Sequence, residues 1–272
     1  MLLENRNDLK DWKREVLKEV KWHLNRRELL KAALVGGAAL AGSALLPGRG
    51  PFGSVAKAAA GEDPKAVKTG TFFFPRLMFH VKDETADEWD IYPRGDAILR
   101  KRLEQLTNVN VSQDPVVVKL SDLENMCRYP FVFATSEGYF DLPKNEEKNL
   151  KEFLMRGGFV HADDCVLGNT GDRFFRDYVK MINRLFPENR MKKVPADHEL
   201  YHCYFRFPKG SLCLQGVDHG DYGLFEKGTG RIMTLVTPGD IHCGWVSVWF
   251  SQKENEAAIR MGINIIIYYL TH

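Results

Sequence analysis

Two neighbouring carboxylates, Asp163-Asp164, and a histidine in the run Asp197-His198-Glu199-Leu200 are the side chains of this sequence best suited to chemistry. Such a set can bind a divalent cation, act as general acid and base, or hydrogen-bond the hydroxyls of a sugar. In open α/β sheets ligands sit beyond the carboxyl ends of the strands. Ser136 and Glu137 follow one apolar run and Asp163 and Asp164 the next. Asp197 and His198 fall in a later loop, and His242 follows a run that ends near Val236. Ser136, Glu137, Asp163, Asp164, His198 and His242 therefore form the candidate cleft. Asp163, Asp164 and His198 are its metal-ligand candidates, although a metal is not the favoured reading. The plainer role for Asp163 or Asp164 is to cap the adjoining turn or helix. No catalytic residue is assigned, and no cofactor is specified.

The run His198-Glu199-Leu200-Tyr201-His202 satisfies H-E-x-x-H, which on a long helix holds zinc between two histidines one turn apart. Pro195 before it and the run 204–208 after it leave no room for such a helix. On a strand the two histidines would share a face but stand roughly 13 Å apart, at ~3.3 Å per residue. A zinc peptidase is disfavoured. The five cysteines (Cys127, Cys165, Cys203, Cys213 and Cys243) contain no C-x-x-C pair, which argues against a dense disulfide framework. In His202-Cys203 and His242-Cys243, neighbours on a strand would face opposite ways, so neither pair suits a shared ligand. The cysteines read mainly as small buried apolar residues.

The elements that must position these residues alternate. Residues 71–74, 131–134 and 159–162 are apolar runs of strand type, the last two suited to burial on both faces. Valines at 109–111 and 116–118 add strand material. Helical spacing marks 96–106, 142–155, 172–185 and 254–270, and a short helix at 122–127 has Ser121 as its expected N-cap. Gly157-Gly158 should end one helix and Pro187 another. Residues 204–207, 231–236 and 245–250 read as strands, antiparallel at the edge, and the Gly- and Asp-rich stretch 216–230 as a hairpin loop. Strand and helix at this pitch predict an α/β domain over 66–272. Its sheet should be mostly parallel, covered by helices on both faces, with an antiparallel C-terminal edge.

Residues 1–60 read as an amphipathic extension followed by an export signal. Leu9, Trp12, Val16, Val20 and Leu24 recur at helical spacing. Arg26-Arg27-Glu28-Leu29-Leu30-Lys31 precedes an uncharged Ala/Gly-rich stretch, 32–46, and resembles a twin-arginine (Tat) signal. Small residues favour cleavage after Ala58 or Ala60. The competing reading is an uncleaved anchor through 29–46, below the ~20 residues that span a bilayer comfortably. Residues 1–58 carry a net charge of +5 and the remainder −3, so the overall +2 belongs to the leader. With so balanced a charge, nucleic-acid binding has no electrostatic support.

The runs Tyr129-Pro130-Phe131-Val132-Phe133 and Gly157-Gly158-Phe159-Val160-His161-Ala162-Asp163-Asp164, with Asp197-His198-Glu199-Leu200 and Gly244-Trp245, resemble a domain of unknown function found in exported bacterial proteins. That family is similar to the class I glutamine amidotransferase-like superfamily, near its trehalose-utilisation (ThuA-like) branch. The resemblance spans about 70–271 and implies a flavodoxin-like fold. Amidotransferases carry a nucleophilic cysteine in a Gly-x-Cys-x-Gly turn after a strand. At the corresponding strand end here Asp163 takes that position, and Cys165 comes two residues later without flanking glycines. A carboxylate cannot form the thioester of glutaminase chemistry.

The resulting expectation is a Tat-exported periplasmic domain that is not a glutaminase. It should bind a polar small molecule, with carbohydrate as one class, or a partner protein. Its partners are the Tat translocase during export, and the inner membrane if the leader stays attached. The alternatives are a metal-assisted hydrolase using the Asp/His cleft, and a membrane-tethered structural subunit.

Overall fold

The computed structural model describes residues 70–82, 88–166, 171–246 and 248–272. The amphipathic extension, Arg26-Arg27, the stretch 29–46 and the cleavage sites at Ala58 and Ala60 lie outside the described residues. Among the described residues no helix is long and apolar enough to cross a membrane.

An open seven-stranded sheet runs in the order β2-β1-β3-β4-β7-β6-β5. Its strands are β1 (Pro75–Met78), β2 (Val116–Lys119), β3 (Phe131–Ser136), β4 (Phe159–Asp164), β5 (Lys192–Lys193), β6 (Tyr222–Phe225) and β7 (Ile232–Thr237). The first five in spatial order are parallel, and β6 and β5 add an antiparallel edge. The helices are α1 (Pro93–Leu106), α2 (Leu123–Met126), α3 (Lys144–Met155), α4 (Arg173–Leu185), α5 (Ile241–Gly244) and α6 (Gln252–Thr271).

The period of two along a strand divides the core into two layers. Val132, Ala134, Val160 and Ala162 face α2, α3 and α4, where Leu150, Phe153, Phe174 and Tyr178 are buried. Phe131, Phe133 and Phe159 face α1, α5 and α6, with Leu99, Leu103, Ile263 and Trp245. All six residues of β3 and of β4 are buried, as expected of central parallel strands covered on both faces. α6 starts at a capping box in which Ser251 and Glu254 satisfy each other's backbone N–H.

Several sequence expectations shift. The first strand is 75–78 rather than 71–74; Phe72 makes only an isolated bridge to Val111. The N-cap of α2 is Asp122, whose carboxylate accepts the Asn125 N–H, rather than Ser121. Residues 204–207 form no strand. The buried Asn264 of α6 bonds the Phe205 N–H and C=O and the Leu200 C=O, taking the place of a neighbouring strand. The run at 231–236 is not an edge but β7, parallel to β4 inside the sheet. Trp245 ends α5, so the expected strand at 245–250 is absent among the described residues. The antiparallel edge is formed by β5 and β6 rather than by 231–236 and 245–250, with β6 inside the stretch read as a loop.

Candidate functional site

The carboxyl ends of β3, β4 and β7 meet at one end of the sheet. Alternation sends Asp163 and Asp164 to opposite faces, so the two carboxylates do not act together. Asp163 accepts bonds from Thr237 Oγ1 and from the Ile241 and His242 N–H groups, and so caps α5. Asp164 accepts the Phe175 N–H at 2.9 Å in the first turn of α4. Asp164 thus caps the helix that follows it, as expected, whereas Asp163 caps a helix from far along the chain. Burial pushes both carboxyls up, with Asp240 adding to the effect on Asp163; Asp164 rises to about 8. Ser136 is buried and its hydroxyl accepts the Gly138 N–H. Glu137 is half-buried, and burial followed by the nearby Asp240 raises its pKa.

His242 comes just after β7, as expected. It lies on α5, fully buried, with its ring about 5 Å from the centroids of Phe133 and Trp245. Nε2 stands 3.1 Å from Arg76 Nη2 and 3.4 Å from Asp96 Oδ1. Arg76 of β1 and Asp96 of α1 form a buried bidentate pair at 2.9 and 2.6 Å. Burial disfavours the Asp96 carboxylate, but the Arg76 guanidinium and the His242 bond outweigh it and hold its pKa below the usual range. Burial lowers the His242 pKa. Gly95 permits this junction, because a Cβ there would lie 2.9 Å from His242 Nε2. His161, one pleat before Asp163, reaches Thr237 Oγ1 at 3.1 Å, and burial lowers its pKa to about 3.

His198 is not part of this cluster. It precedes a 3-10 turn, Glu199–Tyr201, and its ring packs on Phe225 and Tyr268. Phe225 pairs with Ile232, the first residue of β7, so His198 belongs to the opposite end of the sheet. It cannot join Asp163 and Asp164 on one metal. Asp197 beside it is exposed. H-E-x-x-H therefore occupies a single 3-10 turn, and His202 turns back to the Ala196 carbonyl at 3.3 Å.

The structure brings together residues that the sequence pattern did not pair. Cys165, just after β4, and Cys243 of α5 lie with their sulfurs 3.5 Å apart, both buried. Asp240 completes a group whose ligand-type atoms all lie within 4.8 Å of one another. Its backbone is left-handed, at φ 55°, and its carboxylate is held by the Cys243 and Val166 N–H groups and the Gln215 amide. Glu137 Oε1 stands 4.0 Å from Cys165 Sγ. The Cys165 thiol is pushed up by its contact with Cys243 and by burial. For Cys243 that contact acts downward, but burial and Asp240 prevail and raise it to about 11. The sequence signal for this arrangement was Pro238-Gly239-Asp240, a turn that ends β7 and sets residues 241–244 into a helix rather than a strand.

Around these ends stand exposed aromatic rings: Tyr92, Tyr139 and Trp249. Tyr92 and Trp249 meet edge to face at 4.7 Å. The Arg173 guanidinium lies over Tyr139 at 4.8 Å and also donates to the Glu137 carbonyl. Burial, then the charges of Cys165, Cys243, Glu137 and Asp240, raise the Tyr92 hydroxyl to about 12. With spatial order β2-β1-β3, the sheet changes winding direction between β1 and β3, where ligands of doubly wound folds collect.

The sequence profile of DUF4159, described as a domain of unknown function, matches residues 78–270. No curated protein matches the chain. Among solved structures, the exo-beta-1,4-mannosidase Op5Man5 from Opitutaceae bacterium strain TAV5 is similar at 14% identity with a TM-score of 0.36. That match covers 70% of this chain but 34% of the mannosidase chain, and it carries no functional argument.

Proposed function

The chain belongs to the DUF4159 family, and on that premise we propose that it is a Tat-exported periplasmic domain of amidotransferase-like fold that binds a polar, hydroxyl-bearing small molecule and performs no glutaminase chemistry. The observation that carries this reading is the set of exposed rings, Tyr92, Tyr139 and Trp249, around the carboxyl ends of the sheet. Aromatic faces flanked by polar groups suit the alternating apolar and hydroxyl surfaces of a sugar, and Arg173 and Glu137 supply the polar flank. Asp163, at the position of the amidotransferase nucleophile, is wholly buried and engaged by three donors. That supports a role in fixing the β7–α5 turn, not in attack on a substrate. Export rests on Arg26-Arg27 and the apolar stretch after them.

Calorimetric titration of the mature protein against a panel of neutral and acidic oligosaccharides tests the binding reading. Trp249→Ala and Tyr139→Ala should each weaken the responding ligand by on the order of 1 kcal/mol, about fivefold. If no member of the panel binds, or if binding is indifferent to both substitutions, the reading is wrong.

A further inference from the structure

We propose that Cys165, Cys243 and Asp240 form a binding site for one zinc-type divalent cation, a site that goes beyond the ligand reading above and does not depend on it. Two sulfurs bound to a tetrahedral zinc at ~2.3 Å stand roughly 3.8 Å apart. Cys165 and Cys243 already place theirs 3.5 Å apart. The three ligand-type atoms lie within 4.8 Å of one another and all three residues are buried, so coordination needs shifts of only a few tenths of an ångström to about one ångström. Thiolate with carboxylate is a donor set that zinc accepts and that magnesium or calcium does not favour.

The support around the ligands is already built. Asp240 is held by the Gln215 amide and the Val166 and Cys243 N–H groups. Such outer contacts fix a metal ligand's orientation. The two cysteines come from different elements, the end of β4 and α5, which Asp163 ties together through the His242 N–H. Asp163, Asp240 and Glu137 add negative charge near the two thiols, while Arg76 is engaged by Asp96. Binding releases both thiol protons to solvent. Two thiolates and one carboxylate then surround the cation. Three protein ligands leave one open coordination position, as in zinc centres that accept a water or a ligand. Glu137 Oε1 lies 4.0 Å from Cys165 Sγ.

The test uses the full chain, reduced and kept under anaerobic conditions, with no sugar added. Zinc is titrated against a chromogenic chelator, and cobalt(II) is followed by its sulfur-to-metal charge-transfer absorption. The expected result is one equivalent of metal, a charge-transfer band, and two thiols fewer that react with a disulfide reagent. Cys165→Ser and Cys243→Ser should each abolish one-equivalent binding. Gln215→Ala should weaken it by about 10- to 100-fold. Cys203→Ser should retain it. Should a cysteine variant fail to fold, the wild-type cobalt spectrum, its thiol count and Asp240→Asn decide the question. Folded, reduced wild type that takes up neither metal overturns the proposal. So does a charge-transfer band that survives loss of Cys165 and Cys243, or a Cys165–Cys243 disulfide whose reduction restores no metal binding. Because no sugar is present, failure here leaves the ligand reading untouched, and the converse also holds.

Discussion

Breaking the buried Arg76–Asp96 pair should be among the most costly single changes in this domain. Arg76→Met keeps the length and the apolar stem but removes the guanidinium from a site where the two side chains are 1% and 4% exposed. Asp96 loses two short charge-assisted bonds, at 2.9 and 2.6 Å. His242 Nε2 loses its 3.1 Å partner, and Phe133 loses a cation 4.9 Å from its ring centre. Bonds to charged groups are worth about 1.5–3 kcal/mol each, and stripping one partner from a buried ion pair costs about 3–5 kcal/mol. The two figures agree, so about 3–5 kcal/mol should be lost. Urea unfolding followed by far-ultraviolet circular dichroism would show a lower midpoint with an unchanged slope. The double variant Arg76→Met/Asp96→Leu removes both charges of the pair and should recover at least about 2 kcal/mol of that loss, leaving the His242 nitrogen without its partner. If Arg76→Met costs under about 1 kcal/mol, or the double variant costs the sum of the two single ones, the account of this junction is wrong.

Acid sensitivity provides a second check. The His161 pKa is lowered from the ordinary imidazole value to about 3 by burial. The unfolded chain therefore binds the extra proton first. The contribution is fully present above pH ~6.5 and is lost as pH falls toward 3, about 5 kcal/mol over the whole window. His161→Gln, which keeps a polar group near Thr237 but does not titrate, should flatten that part of the stability–pH profile; parallel profiles for the two proteins would show the assignment to be mistaken. Asn264→Leu should cost on the order of 3 kcal/mol, because the Phe205 N–H and C=O and the Leu200 C=O lose a side-chain partner inside the protein. Thermal unfolding measures it, and a loss within about 0.5 kcal/mol would mean that water or a shifted loop supplies those bonds.

The local pattern was a sound guide wherever burial on both faces or a full helical stripe wrote itself into composition. Phe131-Val132-Phe133-Ala134 and Phe159-Val160-His161-Ala162 could only be central strands, and Ile259, Ile263 and Ile266 marked the inner side of α6. Strand ends on adjacent parallel strands must lie together, so Ser136, Glu137, Asp163 and Asp164 were brought to one end of the sheet by alternation of elements alone. The proposals of export and of a polar ligand also start from the sequence, the first from Arg26-Arg27 and the stretch after them. Beyond the reach of local pattern were the contacts between residues far apart in the chain. Whether Tyr204-Phe205-Arg206-Phe207 pairs with a strand depends on Asn264, some sixty residues later. Whether Cys243 faces away from Cys165 or touches it depends on Asp240 turning left-handed and Asp163 capping α5. His198 fell on the far side because the β6–β7 hairpin, placed antiparallel, draws its neighbours to the amino ends of the strands. Periodicity assigns each side chain to a face. The end of the sheet at which it acts, and the group it meets there, are set by strand order and by caps that only the folded chain assembles.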